Sequence, residues 1–139
     1  MDAQSTYAWK RFISPNVCVL SLRGEIDILE HAPLAEAFDT VLSQQSRSVI
    51  VDLINVTYAD STCLHALIRA IKRARQIGKN LDLVVAKDSF FQRIFNVTGL
   101  GREFNIYYSL DQAMDAATML ASATSKRTHK KLFPKPKAS

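Results

Sequence analysis

The chain has 139 residues, 47% of them hydrophobic and 22% charged, a balance that fits one globular domain with a core of its own. No apolar stretch approaches the roughly 20 residues that cross a bilayer, and Met1 to Thr6 lacks a basic start followed by an apolar run. A membrane span and a secretory leader are therefore not expected, and the chain is expected in the cytoplasm.

The formal charge of +5 is unevenly placed. Lys126, Arg127, Lys130, Lys131, Lys135 and Lys137 stand near the C-terminus without an acid, which leaves residues 1–125 with twelve basic against thirteen acidic groups. A basic stretch with Pro134 and Pro136 and few apolar residues cannot bury enough surface to fold alone. The expected organisation is one domain over 1–124 and a disordered basic tail over 125–139.

In chain order, Tyr7 to Ile13 and Val17 to Arg23 are strand-like and are separated by Ser14-Pro15-Asn16, too short for a crossover, so an antiparallel hairpin is expected. Gly24-Glu25-Ile26-Asp27 closes the second strand. Pro33 suits the first turn of a helix whose inner face is Leu34, Ala37, Phe38, Val41 and Leu42. Val49 to Ile54 is a nearly continuous β-branched run, as in a parallel strand buried on both faces.

Asn55, Thr57, Asp60, Ser61 and Thr62 are short polar residues favoured in turns and at helix starts, so the strand is expected to end there and a helix to begin. From Leu64 the apolar residues fall at Leu64, Leu67, Ile68, Ile71 and Ala74, with His65, Arg69, Lys72, Arg73 and Gln76 opposite. Gly78 and Asn80 end that helix, and Leu81 to Ala86 makes another buried strand. Asp88-Ser89 open a helix carrying Phe90, Phe91, Ile94 and Phe95, stopped by Gly99 and Gly101. Asn105 to Tyr108 is a weak last strand, and Ser109 caps a helix with Leu110, Ala113, Met114 and Ala117 on its apolar face. The expected fold class is α/β: a mostly parallel sheet of four to five strands with an N-terminal antiparallel hairpin strand and about four helices.

The chemistry concentrates at residues 60–62. A hydroxyl at a helix N-terminus is well placed for a phosphate, because free N–H groups and the positive dipole end face it. On chemistry alone a second reading is open, in which Asp60, Ser61 and Thr62 only cap the helix. Cys18 and Cys63 lack metal-ligand or CxxC spacing and read as reduced, packed thiols. His31, His65 and His129 are scattered, and no GxGxxG or GxxxxGK(S/T) loop is present, so no enzymatic activity and no cofactor is expected. An acidic, Mg²⁺-holding cluster of Asp27, Asp52 and Asp60, with Asp52 phosphorylated as in response-regulator receivers, is disfavoured, since Asp52 lies inside the apolar run and the receiver's adjacent acidic pair is replaced by Glu25-Ile26-Asp27.

The run VIVDLINVTYADSTCLHAL resembles the signature of STAS domains, the anti-sigma factor antagonists: a hydrophobic strand, a turn, then Asp-Ser-Ser-Gly-Leu opening a helix, here Asp60-Ser61-Thr62-Cys63-Leu64. Gly24-Glu25-Ile26-Asp27 is similar to a family turn near the phosphorylation site. Val97-Thr98-Gly99-Leu100, Phe104 and Ser109-Leu110-Asp111-Gln112-Ala113 resemble the closing pattern, so the likeness covers about Val17 to Ala121. It implies an antagonist that binds an anti-sigma factor of the serine/threonine kinase type and is switched off by phosphorylation at Thr62, with a phosphatase as a further partner and no direct DNA contact. Asp27, Asp60, Ser61, Thr62, Cys63, His65 and Arg69 are then the expected partner-facing residues. Cys63 stands where the family has the glycine that lets a partner come close. The alternative the resemblance implies is an adaptor subunit of a lipid or anion transporter, which the basic tail would suit.

Overall fold

The computed structural model describes the backbone of residues 8–26 and 31–130, and the side chains of 15–26 and 32–120. The elements are β1 (Ala8–Ser14), β2 (Val17–Ile26), α1 (His31–Leu42), β3 (Ser48–Ala59), α2 (Ser61–Gln76), β4 (Asn80–Val84), α3 (Phe90–Thr98), a 3-10 turn (Leu100–Glu103), β5 (Asn105–Tyr107) and α4 (Leu110–Lys130). The five strands lie side by side in the order in which the chain makes them, β1-β2-β3-β4-β5. β1 runs antiparallel to β2, from Ala8 opposite Leu22 to Ser14 opposite Val17. β2, β3, β4 and β5 are parallel.

Strand alternation divides the core between two faces. Cys18, Leu20 and Leu22 of β2, Val49, Val51 and Leu53 of β3, and Leu81 and Leu83 of β4 pack with Leu34 and Phe38 of α1, Leu67 and Ile71 of α2, and Phe91 and Phe95 of α3. The intervening Val17, Val19, Ile50 and Val84 meet Ala113 and Ala117 of α4. Each large side chain withdrawn from water this way contributes about 1.5–3 kcal/mol. β3 has helices over both faces, which is why Val49, Ile50 and Val51 are apolar without a break.

Two boundaries differ from expectation. β3 does not stop at Ile54 but runs to Ala59, with Arg23 opposite Asn55 and Ile26 opposite Ala59. The register slips between Ser21 and Arg23 and again between Gly24 and Glu25, and Gly24 has a φ of 83°. The bulged β2 therefore continues to supply partners, and Asn55 and Thr57 are strand residues, not a turn. β4 pairs with β3 only over Ser48–Asp52, so residues 53–59 pair with β2 alone and stand beyond the sheet as a two-stranded ribbon.

The second difference is the expected boundary at 125, which falls inside α4. The helix continues to Lys130 because residues 111–130 contain neither Gly nor Pro, and the next helix breaker is Pro134. The remainder of the expected tail, 131–139, lies outside the described residues.

Candidate functional site

The ribbon carries the chain from β3 straight into α2. Ala59 is buried at 2% exposure, and the Asp60 N–H donates to the Ile26 carbonyl at 3.3 Å, which ties the start of α2 to the end of β2. Asp60 has extended backbone (φ −104°, ψ −168°), and its side chain accepts from the Thr62 N–H at 2.9 Å. Its carbonyl accepts from the Cys63 N–H at 3.1 Å. Asp60 alone is thus the N-cap.

That arrangement frees the two hydroxyls. Ser61 is exposed and Thr62 half-buried, and neither side chain has a hydrogen-bond partner among the described residues. Thr62 Oγ1 therefore sits in the first turn of a sixteen-residue helix without a structural duty. The positive end of the helix favours added negative charge there, with the Asp60 carboxylate as the opposing neighbour.

His65 and Arg69 are exposed and follow Ser61 and Thr62 at the three- and four-residue steps that share a helix face. The structure thus brings Asp60, Ser61, Thr62, His65 and Arg69 onto one outward surface. Cys63 does not join them. It is 0% exposed and packs in the core with Ala59 and Leu67, because positions 63, 67, 70 and 74 form the inner stripe of α2. Burial first, and the Asp60 carboxylate second, push its thiol up to about 12. The expectation that the Cys63 side chain meets a partner is corrected accordingly. Asp27 lies outside the described residues.

The inner stripe is Cys63, Ala66, Leu67, Ala70, Ile71 and Ala74, rotated from the expected one; Leu64 and Ile68 are half-buried at its edge. The ribbon also exposes Ile54 at 38% and Tyr58 at 54%, large apolar surface that the turn reading of Asn55 and Thr57 concealed. The strand propensity of Val56 and Tyr58 was the signal that could have revealed it.

Asp52 serves the fold. It is 8% exposed and accepts from the Ser21 hydroxyl at 3.4 Å and the Ile54 N–H at 3.1 Å, bridging the first register slip. Among the described residues no group of three His, Cys, Asp or Glu side chains is placed to hold a metal ion.

A parallel sheet flanked by helices, with a capped helix mouth thrust beyond it on a ribbon, defines a class: residues 10–110 match the family model described as Mlab, STAS domain. The chain belongs to the STAS domain family, whose anti-sigma antagonist members are non-enzymatic regulators. It is similar to the anti-sigma-F factor antagonist RsfB of Mycobacterium tuberculosis, 31% identical over 99 residues that span 70% of this chain and 79% of that protein. The crystal structure of an anti-sigma factor antagonist from Mycobacterium paratuberculosis has the same fold, with a TM-score of 0.71 and 24% identity over 80% of this chain and 92% of that one. So does the Bacillus cell fate determinant SpoIIAA in its phosphorylated form, at a TM-score of 0.60 and 16% identity over 78% and 97%.

Proposed function

We propose that this chain is an anti-sigma factor antagonist, which binds an anti-sigma factor of the serine/threonine kinase type through Ser61, Thr62, His65 and Arg69 and is released when Thr62 is phosphorylated. The observation that carries the reading is the division of labour at the helix mouth. Asp60 takes the Thr62 N–H, so the Thr62 hydroxyl is available for modification without loss of the cap. The names of the relatives support the choice of partner.

The energetics fit a switch. A phosphate adds about −1.5 to −2 charge, and the dipole favours it by roughly 0.3–1 kcal/mol at an exposed helix start, so the fold accepts it despite the nearby Asp60. At a closed interface the same group must lose its hydration, and burial without compensating donors costs several kcal/mol. Binding then weakens by one or more orders of magnitude while the domain stays folded. The partner frees its sigma factor when it is held by the unmodified chain, and a phosphatase restores that form. Such a partner is cytoplasmic, and no helix among the described residues is long and apolar enough to cross a membrane.

The test is incubation with the cognate kinase and Mg-ATP, peptide mass spectrometry, and calorimetry on the wild type, the phosphoprotein and Thr62→Ala. Label on Thr62, weak binding by the phosphoprotein and tight, unreleased binding by Thr62→Ala are expected. Label on Ser61 alone, or unchanged affinity after phosphorylation, would sink the proposal. A pull-down that recovers a transporter ATPase instead of an anti-sigma kinase would replace it with the adaptor reading.

A further inference from the structure

Between α1 and α2 the surface opens into a groove of about 520 Å³. Its lining is apolar in the middle, Ala35, Phe38 and Leu42 from α1 and Ala66 and Ala70 from α2, with Arg69 and Arg73 on the α2 side and Asp39 on the α1 side. Both arginines and Asp39 are exposed. α2 contains no Asp or Glu from Ser61 to Gln76. Its one cation with an ion-pair partner among the described residues is Arg75, whose Nη1 lies 3.1 Å from Glu103 Oε1.

We infer that this groove docks an acidic amphipathic helix of a protein partner, with apolar side chains on the apolar floor and carboxylates on Arg69 and Arg73. The inference rests on the reading that the outer face of α2 turns towards a protein. Arg69 and Arg73 are four residues apart, about 6 Å along the axis, the spacing that Glu side chains at i and i+4 of a docked helix reproduce. Guanidinium groups suit carboxylates because two parallel N–H bonds fit each one. Alanines let a second helix approach closely, and the helix-in-groove mode draws its affinity from apolar anchors at such steps.

Two features favour a protein over a polyanion. A nucleic-acid backbone or a lipid headgroup layer would gain from the arginines but would be repelled by Asp39 across the groove. Neither makes specific use of an apolar floor. Asp39 instead gives a docked helix a direction, since its far edge is favoured to be basic or neutral. Arg69 is seven residues beyond Thr62, about 10 Å along the axis, so the groove forms an anchor separate from the phosphorylated turn.

The probe is a fluorescein-labelled peptide of about 18 residues, long enough to hold helical structure, with Leu on one face and Glu at i and i+4 beside it. Anisotropy is measured on the full chain. The expected result is binding that falls about tenfold or more in Arg69→Glu/Arg73→Glu, in a peptide whose Glu are replaced by Lys, and in Ala35→Leu, which fills the floor and leaves both arginines. Thr62→Glu is expected to bind the peptide as the wild type does. A thermal melt confirms that each variant is folded, and Ala35→Ser, which leaves the floor open, is expected to retain binding.

Equal binding of the Glu and Lys peptides, or indifference to Ala35→Leu, overturns the inference. So does tighter, arginine-dependent binding of phosphatidylglycerol vesicles or a single-stranded DNA oligonucleotide without discrimination between the peptides. A dimer in sedimentation that Ala35→Leu converts to monomer also overturns it, with a second copy as the occupant. Because the readout uses no anti-sigma factor, loss of the Thr62 switch with intact peptide binding leaves the groove standing, and the converse leaves the switch standing.

Discussion

At the scale of single residues, one carboxylate decides what its neighbours are free to do. Asp60→Ala removes the N-cap bond to the Thr62 N–H and is expected to cost about 1 kcal/mol, within the 0.5–2 kcal/mol span of such losses, seen as a melting temperature a few degrees lower. Cys63 belongs to the core, so Cys63→Gly should act on stability before it acts on any partner. The lost contacts and the glycine inside a helix together cost about 1–3 kcal/mol by urea denaturation. With its thiol pushed up to about 12, Cys63 should resist iodoacetamide at mild alkaline pH until the protein is unfolded. Asp82 offers a pH test. It is 2% exposed, and burial raises its carboxyl above the ordinary value of 3.8 although the Asn105 and Asn80 side chains oppose the shift with bonds of 3.0 Å each. Above 3.8 the folded state holds this proton more firmly than the unfolded chain does, so the Asp82 contribution to stability falls as pH rises through the folded value. Denaturation curves across the acidic range should show that decline in the wild type, and Asp82→Asn should flatten it.

At the scale of elements, the ribbon of β2 and β3 is where sequence reading and structure part. The β-branched run from Val49 marked the strand and its burial correctly, since that pattern records a local environment. The end of β3 is set by a non-local partner, and Asn55 and Thr57 accept strand geometry because the bulged β2 lies beside them. In the same way the steps of Leu64, Leu67, Ile68 and Ile71 disclosed the helix, but the inner stripe of α2 turns on Cys63, Ala66 and Ala70. Small side chains register weakly in any hydrophobic pattern, and packing against α1 favours them. The candidate site was legible as far as Thr62 at a helix mouth; the choice of Asp60 as sole cap required coordinates. Gly24 provides the test of the ribbon. A Cβ there would meet nothing within 4 Å, yet φ is 83°, so Gly24→Ala should cost about 1–2 kcal/mol through backbone strain alone, measured by chemical denaturation.

At the scale of the whole molecule, the charge and the packing lie in different places. Residues 131–139 hold Lys131, Lys135 and Lys137 with Pro134 and Pro136, a composition with no packing pattern. Their removal should leave the melting temperature within about two degrees; a larger drop would show that they dock on the body. Partner binding that loses its salt dependence on the same deletion would assign them an electrostatic role. The parallel sheet and its helices were legible because strands and helices alternate with distinct periods. The identity of strand order and chain order has a consequence for synthesis. Each strand that leaves the ribosome finds its neighbour already made, at the open edge of the growing sheet, and no strand must be held back for a later one to insert beside it. The nascent chain can therefore assemble from its N-terminal side with short loop closures, and the helix mouth bearing Thr62 emerges after both strands that support it.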